Sequence, residues 1–555
     1  MNDQPLRIVI VGGVAGGASA ATRARRCNEH AEITLIEKDE HVSFANCGLP
    51  YHIGGEIEDR QKLLVATSEL LVNRFRLNVR TQTEAMAIDR ERRLIRIRDQ
   101  KDGTESDLPW DKLILSPGAS PIVPRMEGAD AAGVFTLRNI ADMDRIIEAV
   151  HSSRGRKAVV VGAGFIGLEM AEQLVRHDFE VAVAELQSQV LPPLDPEMAS
   201  PLEQECERHG VRLYLGDGID RIATDDAGNA CGVHLQSGAM VEGDVVILGL
   251  GVRPNTSLAT ESDLPLGQTG GITINEFLQT SDGDIYAVGD ACEYTYGPTG
   301  QNMRVALAGP ANRAGRLAGE HAATGSCRPV TDVMGTAIVR VFDLAAGLTG
   351  LSLKAAQRAG IAARTATVVA GQHAGYFPGA TPITLKLTYE EGTGRVLGAQ
   401  AVGRDGVDKR LDVVATAMHF KATVHDLAGL DLCYAPPFGS AKDPVHQVAF
   451  VAGNQLDGLA ELTASDADLS GYQVVDVRTV REVQESPLAG CSNAINIPVD
   501  ELRDRLGELD AGAPTVVSCG VGVRGHIAQR ILRQNGFASV SNLSGGATIR
   551  RHSVN

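Results

Sequence analysis

Two cysteines lie in short strings of different chemical character. Cys47 lies within residues 43–51 (SFANCGLPY), and Cys519 opens residues 519–524 (CGVGVR). The second string follows an apolar strand, and its two glycines permit a tight curl that directs backbone N–H groups at an anionic sulfur. Arg524 adds a fixed positive charge. The residues predict a redox cysteine at 47, activated by a helix N-terminus, and a sulfur-carrying cysteine at 519.

The remaining cysteines are scattered along the chain. Nine cysteines are present in all, and no pair has a CxxC or zinc-like spacing. The seven outside the two strings are predicted to be small buried side chains in a reducing compartment. We therefore predict no metal site. These seven are Cys27, Cys206, Cys231, Cys292, Cys327, Cys433 and Cys491.

Two glycine-rich turns are each predicted to join a buried parallel strand to a helix. The first follows residues 8–11, and the second follows residues 158–161. Such a turn points free N–H groups and the helix dipole at a phosphate, and an acidic residue ending the next strand can bind a ribose diol. The first helix is expected over 18–26 and the second over 168–176. Two copies of this βαβ opening, about 150 residues apart, predict two dinucleotide-binding units.

The two turns differ at their middle position. Val14 replaces the usual middle glycine of the first turn, which leaves less room for a pyrophosphate, whereas the second turn keeps Gly164. The residues predicted to bind the first dinucleotide are Gly12, Val14, Ala15, Gly17, Glu37 and Lys38. The residues predicted to bind the second are Gly162, Gly164, Phe165, Ile166, Gly167 and Glu185. Because a carboxylate at Glu185 repels a 2′-phosphate, the second turn is expected to prefer a dinucleotide with a free ribose diol.

A third string identifies which unit binds which nucleotide. Residues 280–290 end in Gly-Asp, so that Asp290 could bond a polyol. With residues 116–119 and 249–254, this string resembles the two-dinucleotide flavoprotein family. The resemblance implies that the N-terminal unit binds FAD and that the inserted unit binds NAD(H). It adds Ser116, Gly118, Asp290 and Ala308 to the FAD residues, and Gly251 to the NAD residues.

The string around Cys47 resembles coenzyme A disulfide reductases and their persulfide-reducing relatives, as do residues 373–379 and 434–438. Many enzymes of this superfamily use a CxxxxC disulfide, but Val42 and His52 occupy the positions five away from Cys47. Cys47 must then pair with an external sulfur or cycle through sulfenic acid. The resemblance implies that Cys47 is the nucleophile. It also implies a coenzyme A site at Arg26, Ser43 and Asn46, and that Tyr376 and Tyr434 reach the sulfur from the partner of a homodimer.

The Cys519 loop, with residues 476–478, Glu482 and residues 496–498, resembles a single rhodanese domain. Residues 490–493 depart from that family's usual string. A phosphatase loop is the competing interpretation, but this loop is one residue shorter than the phosphatase kind, which favours sulfur. The resemblance implies that Cys519 transfers sulfur and that Arg524 assists it.

The predicted fold class is α/β: two Rossmann-like domains, an α+β dimerisation domain and a C-terminal rhodanese-like domain. At 555 residues the chain is too long for one core. The predicted boundaries are 1–150 and 271–328 for the FAD domain, 151–270 for the NAD(H) domain, 329–452 for dimerisation, 453–465 for a linker and 466–555 for rhodanese.

Composition limits the partners. The net charge of −17 argues against nucleic acid. No apolar run approaches the ~20 residues of a membrane helix, and the polar first residues show no signal peptide, so we expect a cytoplasmic protein that binds no membrane.

These observations together predict an FAD-dependent coenzyme A disulfide and persulfide reductase that uses NADH. Its partners are coenzyme A disulfide or persulfide, polysulfide and other sulfane-sulfur molecules. Two alternatives are an NADH oxidase or peroxidase, in which Cys47 cycles through sulfenic acid, and a non-enzymatic flavin redox sensor.

Overall fold

The computed structural model describes residues 4–554, which divide into two compact units. The first unit contains residues 4–186 and 216–335, and the second contains residues 187–215 and 336–554. Within residues 4–554, no helix is both long and apolar enough to cross a membrane.

The helices and strands follow the chain in this order. Residues 4–186 form β1 (Arg7–Val11), α1 (Ala15–Cys27), β2 (Glu32–Ile36), α2 (Leu49–Ile53), α3 (Ser68–Phe75), β3 (Asn78–Arg80), β4 (Thr83–Asp89), β5 (Leu94–Asp99), β6 (Glu105–Pro109), β7 (Lys112–Leu115), β8 (Ala119–Pro121), β9 (Val134–Phe135), α4 (Ile140–Ser152), β10 (Lys157–Val161), α5 (Phe165–Arg176) and β11 (Glu180–Glu185). Residues 187–335 form α6 (Pro196–Arg208), β12 (Arg212–Leu215), β13 (Ile219–Thr224), β14 (Ala230–Leu235), β15 (Met240–Glu242), β16 (Val245–Leu248), β17 (Val252–Pro254), α7 (Ser257–Glu261), β18 (Ile285–Ala287), β19 (Glu293–Tyr296), β20 (Gln301–Arg304) and α8 (Ala308–Thr324). Residues 336–554 form β21 (Ala337–Val341), β22 (Leu344–Gly350), α9 (Leu353–Arg358), β23 (Ala363–Gly371), β24 (Pro382–Glu390), β25 (Val396–Gly403), α10 (Val407–His419), α11 (Val424–Ala428), α12 (Pro444–Leu456), β26 (Leu462–Thr463), β27 (Gln473–Asp476), α13 (Val480–Glu485), β28 (Ile495–Asn496), β29 (Thr515–Ser518), α14 (Val523–Gln534), β30 (Val540–Leu543) and α15 (Gly546–Ser553).

The first unit is built around a parallel sheet with strand order β18-β7-β1-β2-β3. Residues 8–11 are buried, as expected for a strand covered on both faces. Helix α1 begins at Ala15, three residues before the predicted start, so Gly16 and Gly17 lie inside its first turn. Close packing of α8 against α1 requires glycine at position 315, since a Cβ on Gly315 would lie 2.1 Å from the carbonyl oxygen of Gly16.

A second parallel sheet in this unit has the order β11-β10-β16-β9. Helix α5 begins at Phe165, directly after the second glycine turn. Strands β8 and β17 pair antiparallel. This pairing places the two segments that sequence similarity singled out, residues 116–119 and 249–254, side by side.

The second unit contains an antiparallel sheet of order β21-β22-β25-β24-β23 and a parallel sheet of order β26-β30-β29-β27-β28. The structure differs from the predicted linker over 453–465 at both of its ends. Helix α12 continues to Leu456, and β26 pairs with β30 in the parallel sheet. Gly453 and Gln455, which fall within the predicted linker, are buried residues of α12.

Candidate active sites

Each of the two glycine turns holds the acidic residue that ends the next strand. The Gly13 N–H donates to Glu37 Oε2 at 2.7 Å, and the Ala163 N–H donates to Glu185 Oε2 at 2.7 Å. Both carboxylates are buried, and burial raises the pKa of Glu37. Both glycine turns therefore hold a carboxylate in the same orientation, and each turn is suited to bind phosphate.

The outer glycines of both turns are required by the backbone. Gly12 and Gly162 have φ of 92° and 101°. A Cβ on Gly17 would lie 1.7 Å from the Gly12 oxygen, and one on Gly167 would lie 1.9 Å from the Gly162 oxygen. Helix and turn can approach this closely only when no side chain is present.

The middle positions differ. A Cβ on Gly164 would meet no described atom within 4 Å, so the second turn opens onto free space at the start of α5. Val14, at the start of α1, makes no side-chain capping bond. A dinucleotide pyrophosphate fits the open second turn, whereas in the first turn it must pass the Val14 side chain.

Of the remaining predicted FAD residues, Ser116 lies beside the first turn, with its carbonyl oxygen 2.0 Å from the position that a Cβ on Gly12 would take. Ser116 Oγ lies 2.8 Å from the position that a Cβ on Gly16 would take, and Asp290 follows Gly289, whose φ is 81°. Lys38 and Ala308 are exposed, with Ala308 at the start of α8. Gly251, predicted for NAD, has φ of 88°.

Arg138 joins two of these predicted residues and was not predicted. Its Nη2 lies 3.4 Å from Asp290 Oδ2 and 2.9 Å from the position of a Cβ on Gly118. No recognisable string surrounds Arg138, and 152 residues separate it from Asp290. Only the fold brings it to the site.

Cys47 lies in a single turn of 3-10 helix that precedes α2. The residue is exposed, and its Sγ lies 3.6 Å from Asn46 Oδ1. Partial enclosure of the sulfur, followed by the Glu169 carboxylate, raises the pKa of the thiol, while Arg138 opposes them. Helix α2, which follows this turn, has only five residues. The charges and burial around Cys47 therefore act against the thiolate that a helix N-terminus was expected to favour.

The Cys47 string is attached to both nucleotide-binding units. The Ser43 N–H donates to the Gly13 oxygen at 2.8 Å, and the Tyr51 hydroxyl donates to Glu169 Oε1 at 2.9 Å. Gly13 belongs to the first turn, and Glu169 lies on α5, which begins at the second. The segment that carries the thiol is therefore hydrogen-bonded to both glycine-turn regions, all within the first compact unit.

The other residues predicted to surround the substrate lie in two places. Arg26 is exposed on α1, with its guanidinium over the Phe75 ring at 5.2 Å. In the second unit, the hydroxyl oxygens of Tyr376 and Tyr434 lie 2.9 Å apart. Both tyrosines are exposed, and their mutual hydrogen bond raises the pKa of Tyr376. The structure thus brings together two tyrosines that are 58 residues apart in sequence.

Cys519 lies at the end of β29 and is buried. The Gly522 N–H donates to its Sγ at 3.1 Å. Arg524 donates two hydrogen bonds to Glu482, at 2.6 and 2.8 Å, and this pairing lowers the pKa of Glu482. The predicted curl around the sulfur is present, and the positive charge at its end is balanced by Glu482.

The outer side of the same loop is held by the first residues of α15. The Ala547 and Thr548 N–H groups donate to the carbonyl oxygens of Cys519 and Gly520 at 2.8 and 3.0 Å. A Cβ on Gly546 would lie 2.4 Å from the Cys519 oxygen. Helix α15 therefore takes up the loop carbonyls and leaves the inner side of the curl to N–H groups.

Comparison with known proteins identifies the class that this fold and these sites define. The model of the pyridine nucleotide-disulphide oxidoreductases matches residues 6–315, that family's dimerisation domain matches 336–444, and the rhodanese-like domain matches 459–548. The chain belongs to the pyridine nucleotide-disulphide oxidoreductase family and carries a rhodanese-like domain.

Individual relatives show which members of the family this chain is similar to. Coenzyme A disulfide reductase from Staphylococcus aureus (strain JH9) is 33% identical over 446 residues, which cover 80% of this chain and 99% of the relative. The crystal structure of reduced Bacillus anthracis CoADR-RHD has 43% identity and a TM-score of 0.94, covering 99% of this chain and 98% of that one. An NAD-dependent persulfide reductase from A. fulgidus has 38% identity and a TM-score of 0.92, with coverage of 98% and 100%. The rhodanese interpretation of the Cys519 loop is confirmed over the phosphatase one.

Proposed function

We propose that this protein is an FAD-dependent coenzyme A disulfide and persulfide reductase that uses NADH. The observation that carries the proposal is the attachment of the Cys47 string to both nucleotide-binding units, through Ser43 to the first turn and through Tyr51 to α5. A single thiol on a segment hydrogen-bonded to both dinucleotide sites is the arrangement that passes electrons from a nucleotide to an external sulfur. Similarity to coenzyme A disulfide and persulfide reductases supports the substrate class.

The residues present fit both nucleotides. The first turn, Glu37 and Asp290 would hold FAD, and the open second turn with Glu185 would hold NADH. When bound, FAD supplies the two-electron relay between NADH and a disulfide. Glu185 already receives a backbone N–H on one oxygen, which fixes its direction beside the turn. This fixed carboxylate favours a free ribose diol over a 2′-phosphate.

The chemistry assigned to the chain begins at Cys47. Its thiolate attacks coenzyme A persulfide at the sulfur bonded to carbon, forms a mixed disulfide with coenzyme A, and releases hydrosulfide. With coenzyme A disulfide, the leaving group is coenzyme A thiolate. Reduction of the mixed disulfide then releases coenzyme A and restores Cys47.

Other residues bind the substrate and protonate the leaving group. Arg26 would bind a coenzyme A phosphate, while Ser43 and Asn46 line the sulfur pocket. The paired hydroxyls of Tyr376 and Tyr434 would donate a proton or hydrogen bond to the leaving thiolate. They would do so from the partner subunit of a homodimer, since the matched dimerisation domain contains both residues.

The proposal assigns Cys519 the role of sulfur carrier. It takes a sulfur atom from polysulfide and passes it to coenzyme A, whose long pantetheine arm carries it to Cys47. The Gly522 N–H at the Cys519 sulfur supports this role, because a persulfide anion needs hydrogen-bond donors. Arg524 keeps a positive charge beside the loop.

Turnover with different acceptors tests the proposed function. With NADH, the flavin-loaded protein should reduce coenzyme A persulfide at least about tenfold faster than oxygen or peroxide, a difference of roughly 1.4 kcal/mol in barrier. Rapid water or peroxide chemistry without persulfide reduction would identify an NADH oxidase or peroxidase instead. This alternative arises because the chain is also similar to a water-forming NADH oxidase from Lactobacillus brevis, with 26% identity and a TM-score of 0.78, covering 82% of this chain and 99% of that one. Absence of turnover with every acceptor would favour a redox sensor.

A further inference from the structure

We propose that Asn542 is a positioning residue that aims the Gly522 N–H at the Cys519 sulfur. This inference rests on the proposed role of Cys519 as a sulfur carrier. Asn542 lies on β30 and is buried. Its Nδ2 donates to the Gly522 oxygen at 3.0 Å, while the Gly522 N–H donates to Cys519 Sγ at 3.1 Å.

Gly522 is the point of the loop that most needs such support. Its φ of 98° lies in the left-handed region, and the residue has no side chain of its own to pack. Its N–H contacts the sulfur, and its carbonyl accepts from the Asn542 amide and from the His526 N–H at 2.9 Å, the first backbone bond of α14. Without the Asn542 amide, only α14 would hold the carbonyl, and the left-handed glycine could turn its N–H away from the sulfur.

The Oδ1 atom of Asn542 indicates that this asparagine does not serve mainly to stabilise the fold. Its Oδ1 has no hydrogen-bond partner among residues 4–554. A buried acceptor without a partner destabilises the folded state, so an apolar side chain would be the more stable choice here. The sequence also makes room for the amide, because a Cβ on Gly525 would lie 2.1 Å from Oδ1.

A correctly aimed Gly522 N–H would assist the step that loads a sulfur atom onto Cys519. The Cys519 thiolate attacks a terminal sulfur of polysulfide, an S–S bond forms to Cys519, and a polysulfide one sulfur shorter leaves with the displaced electron pair. No external oxidant is needed. Negative charge remains on Cys519 before the step, as thiolate, and after it, as persulfide. A correctly aimed N–H stabilises the anion in both states.

Two variants and a matched control test the proposal in the full-length, flavin-loaded protein. Asn542→Leu removes the donor, and Gly525→Ala displaces the amide from the opposite side. Gln529→Met is the control, because Gln529 is also a buried amide with an unpartnered oxygen, but its Nε2 donates to the Glu461 and Val540 carbonyls instead of to the loop. Each protein is treated with inorganic polysulfide or iodoacetamide across a pH series, and the Cys519 peptide is quantified by mass spectrometry.

We expect polysulfide to load Cys519 about tenfold more slowly in Asn542→Leu and Gly525→Ala, with the alkylation profile displaced to higher pH. Gln529→Met should load Cys519 at the parental rate. Parental loading and an unshifted profile in either loop variant would overturn the proposal, and so would an equal loss in the control. Reduction of preformed coenzyme A persulfide through Cys47 is measured in parallel on the parent. Failure there contradicts the proposed function, whereas the Cys519 labelling result does not depend on turnover.

Discussion

Cys47 is exposed on a turn ahead of a five-residue helix, and the Glu169 carboxylate is the charged group that most raises its pKa. Cys519 is buried at the start of a loop whose Gly522 N–H donates to its sulfur and whose carbonyls are taken up by α15. One cysteine therefore lies near a carboxylate, whereas the other accepts a hydrogen bond from a backbone N–H.

This contrast separates two kinds of sulfur chemistry. A raised pKa lowers the thiolate fraction at a given pH, and this limits unproductive reaction with other electrophiles because the thiolate is the nucleophile. A sulfur that receives an N–H can keep a persulfide as a stored anion. The first environment suits a step that occurs once per turnover, and the second suits a carrier.

The largest expected effect comes from removing the reducing thiol. Cys47→Ser should retain FAD but lose coenzyme A persulfide and disulfide reduction by on the order of a thousandfold, since no other thiol is placed to attack. Flavin absorbance and NADH consumption provide the measurement. Cys231→Ser, a partly buried cysteine outside both strings, is the control and should be unchanged. Near-parental turnover in Cys47→Ser would remove this residue from the mechanism.

The next effect concerns the paired tyrosines. Replacing both Tyr376 and Tyr434 by Phe should slow reduction by about 100-fold, because the hydroxyls are expected to protonate or stabilise the leaving thiolate. Tyr472→Phe removes an exposed hydroxyl elsewhere and serves as the control.

Mixing protomers tests whether these tyrosines act across a dimer. Re-equilibrated mixtures of Cys47→Ser and the double tyrosine variant should regain part of the activity, because one site in each heterodimer is then intact. No recovery in verified heterodimers would assign the tyrosines to their own subunit or to packing.

A smaller effect is expected at the nucleotide carboxylate. The parent should show a higher kcat/KM with NADH than with NADPH, and Glu185→Gln should reduce that ratio roughly tenfold by removing the charge that repels a 2′-phosphate. Glu180→Gln, at the exposed start of the same strand, controls for loss of charge alone. A parental preference for NADPH would contradict the assigned role of Glu185.

The smallest effect tests the electrostatics of Cys47 directly. Since the Glu169 carboxylate raises the pKa of Cys47, Glu169→Gln should lower that pKa and increase the thiolate fraction at neutral pH. Alkylation of the Cys47 peptide at pH 7 should then be roughly threefold faster, because the thiolate is the form that reacts. Glu148→Gln, on the exposed face of α4, should leave the rate unchanged. Slower alkylation in Glu169→Gln would show that its contact with Tyr51 matters more than its charge.

Local requirements explain why much of this organisation was predictable from the sequence. The glycines of both turns are dictated by positive φ and by close backbone approach within a few residues, as at Gly12 and Gly17. The parallel strands are short apolar runs, and the Cys519 curl is formed by six consecutive residues. Tyr376 and Tyr434 were found through the strings around them.

Long-range contacts explain what was missed. Arg138, Glu169 and Asn542 act on the sites through single side chains that no string surrounds, and each meets its partner through the tertiary fold. Burial of the sulfur and the Glu169 carboxylate, the two largest causes that raise the pKa of Cys47, both arise from the tertiary fold. The domain boundaries and the individual site assignments stay predictions.

The most direct test of the division between the two cysteines is Cys519→Ser, assayed with both substrate classes. The account predicts parental NADH-dependent reduction of preformed coenzyme A persulfide, together with slower use of polysulfide in the presence of coenzyme A. The size of the second effect depends on how fast polysulfide reacts with coenzyme A directly, so that uncatalysed rate is subtracted. An equal loss with both substrates would place Cys519 in the reductive step and contradict the account. Parental rates with both would also contradict it, because Cys519 would then carry no sulfur to Cys47.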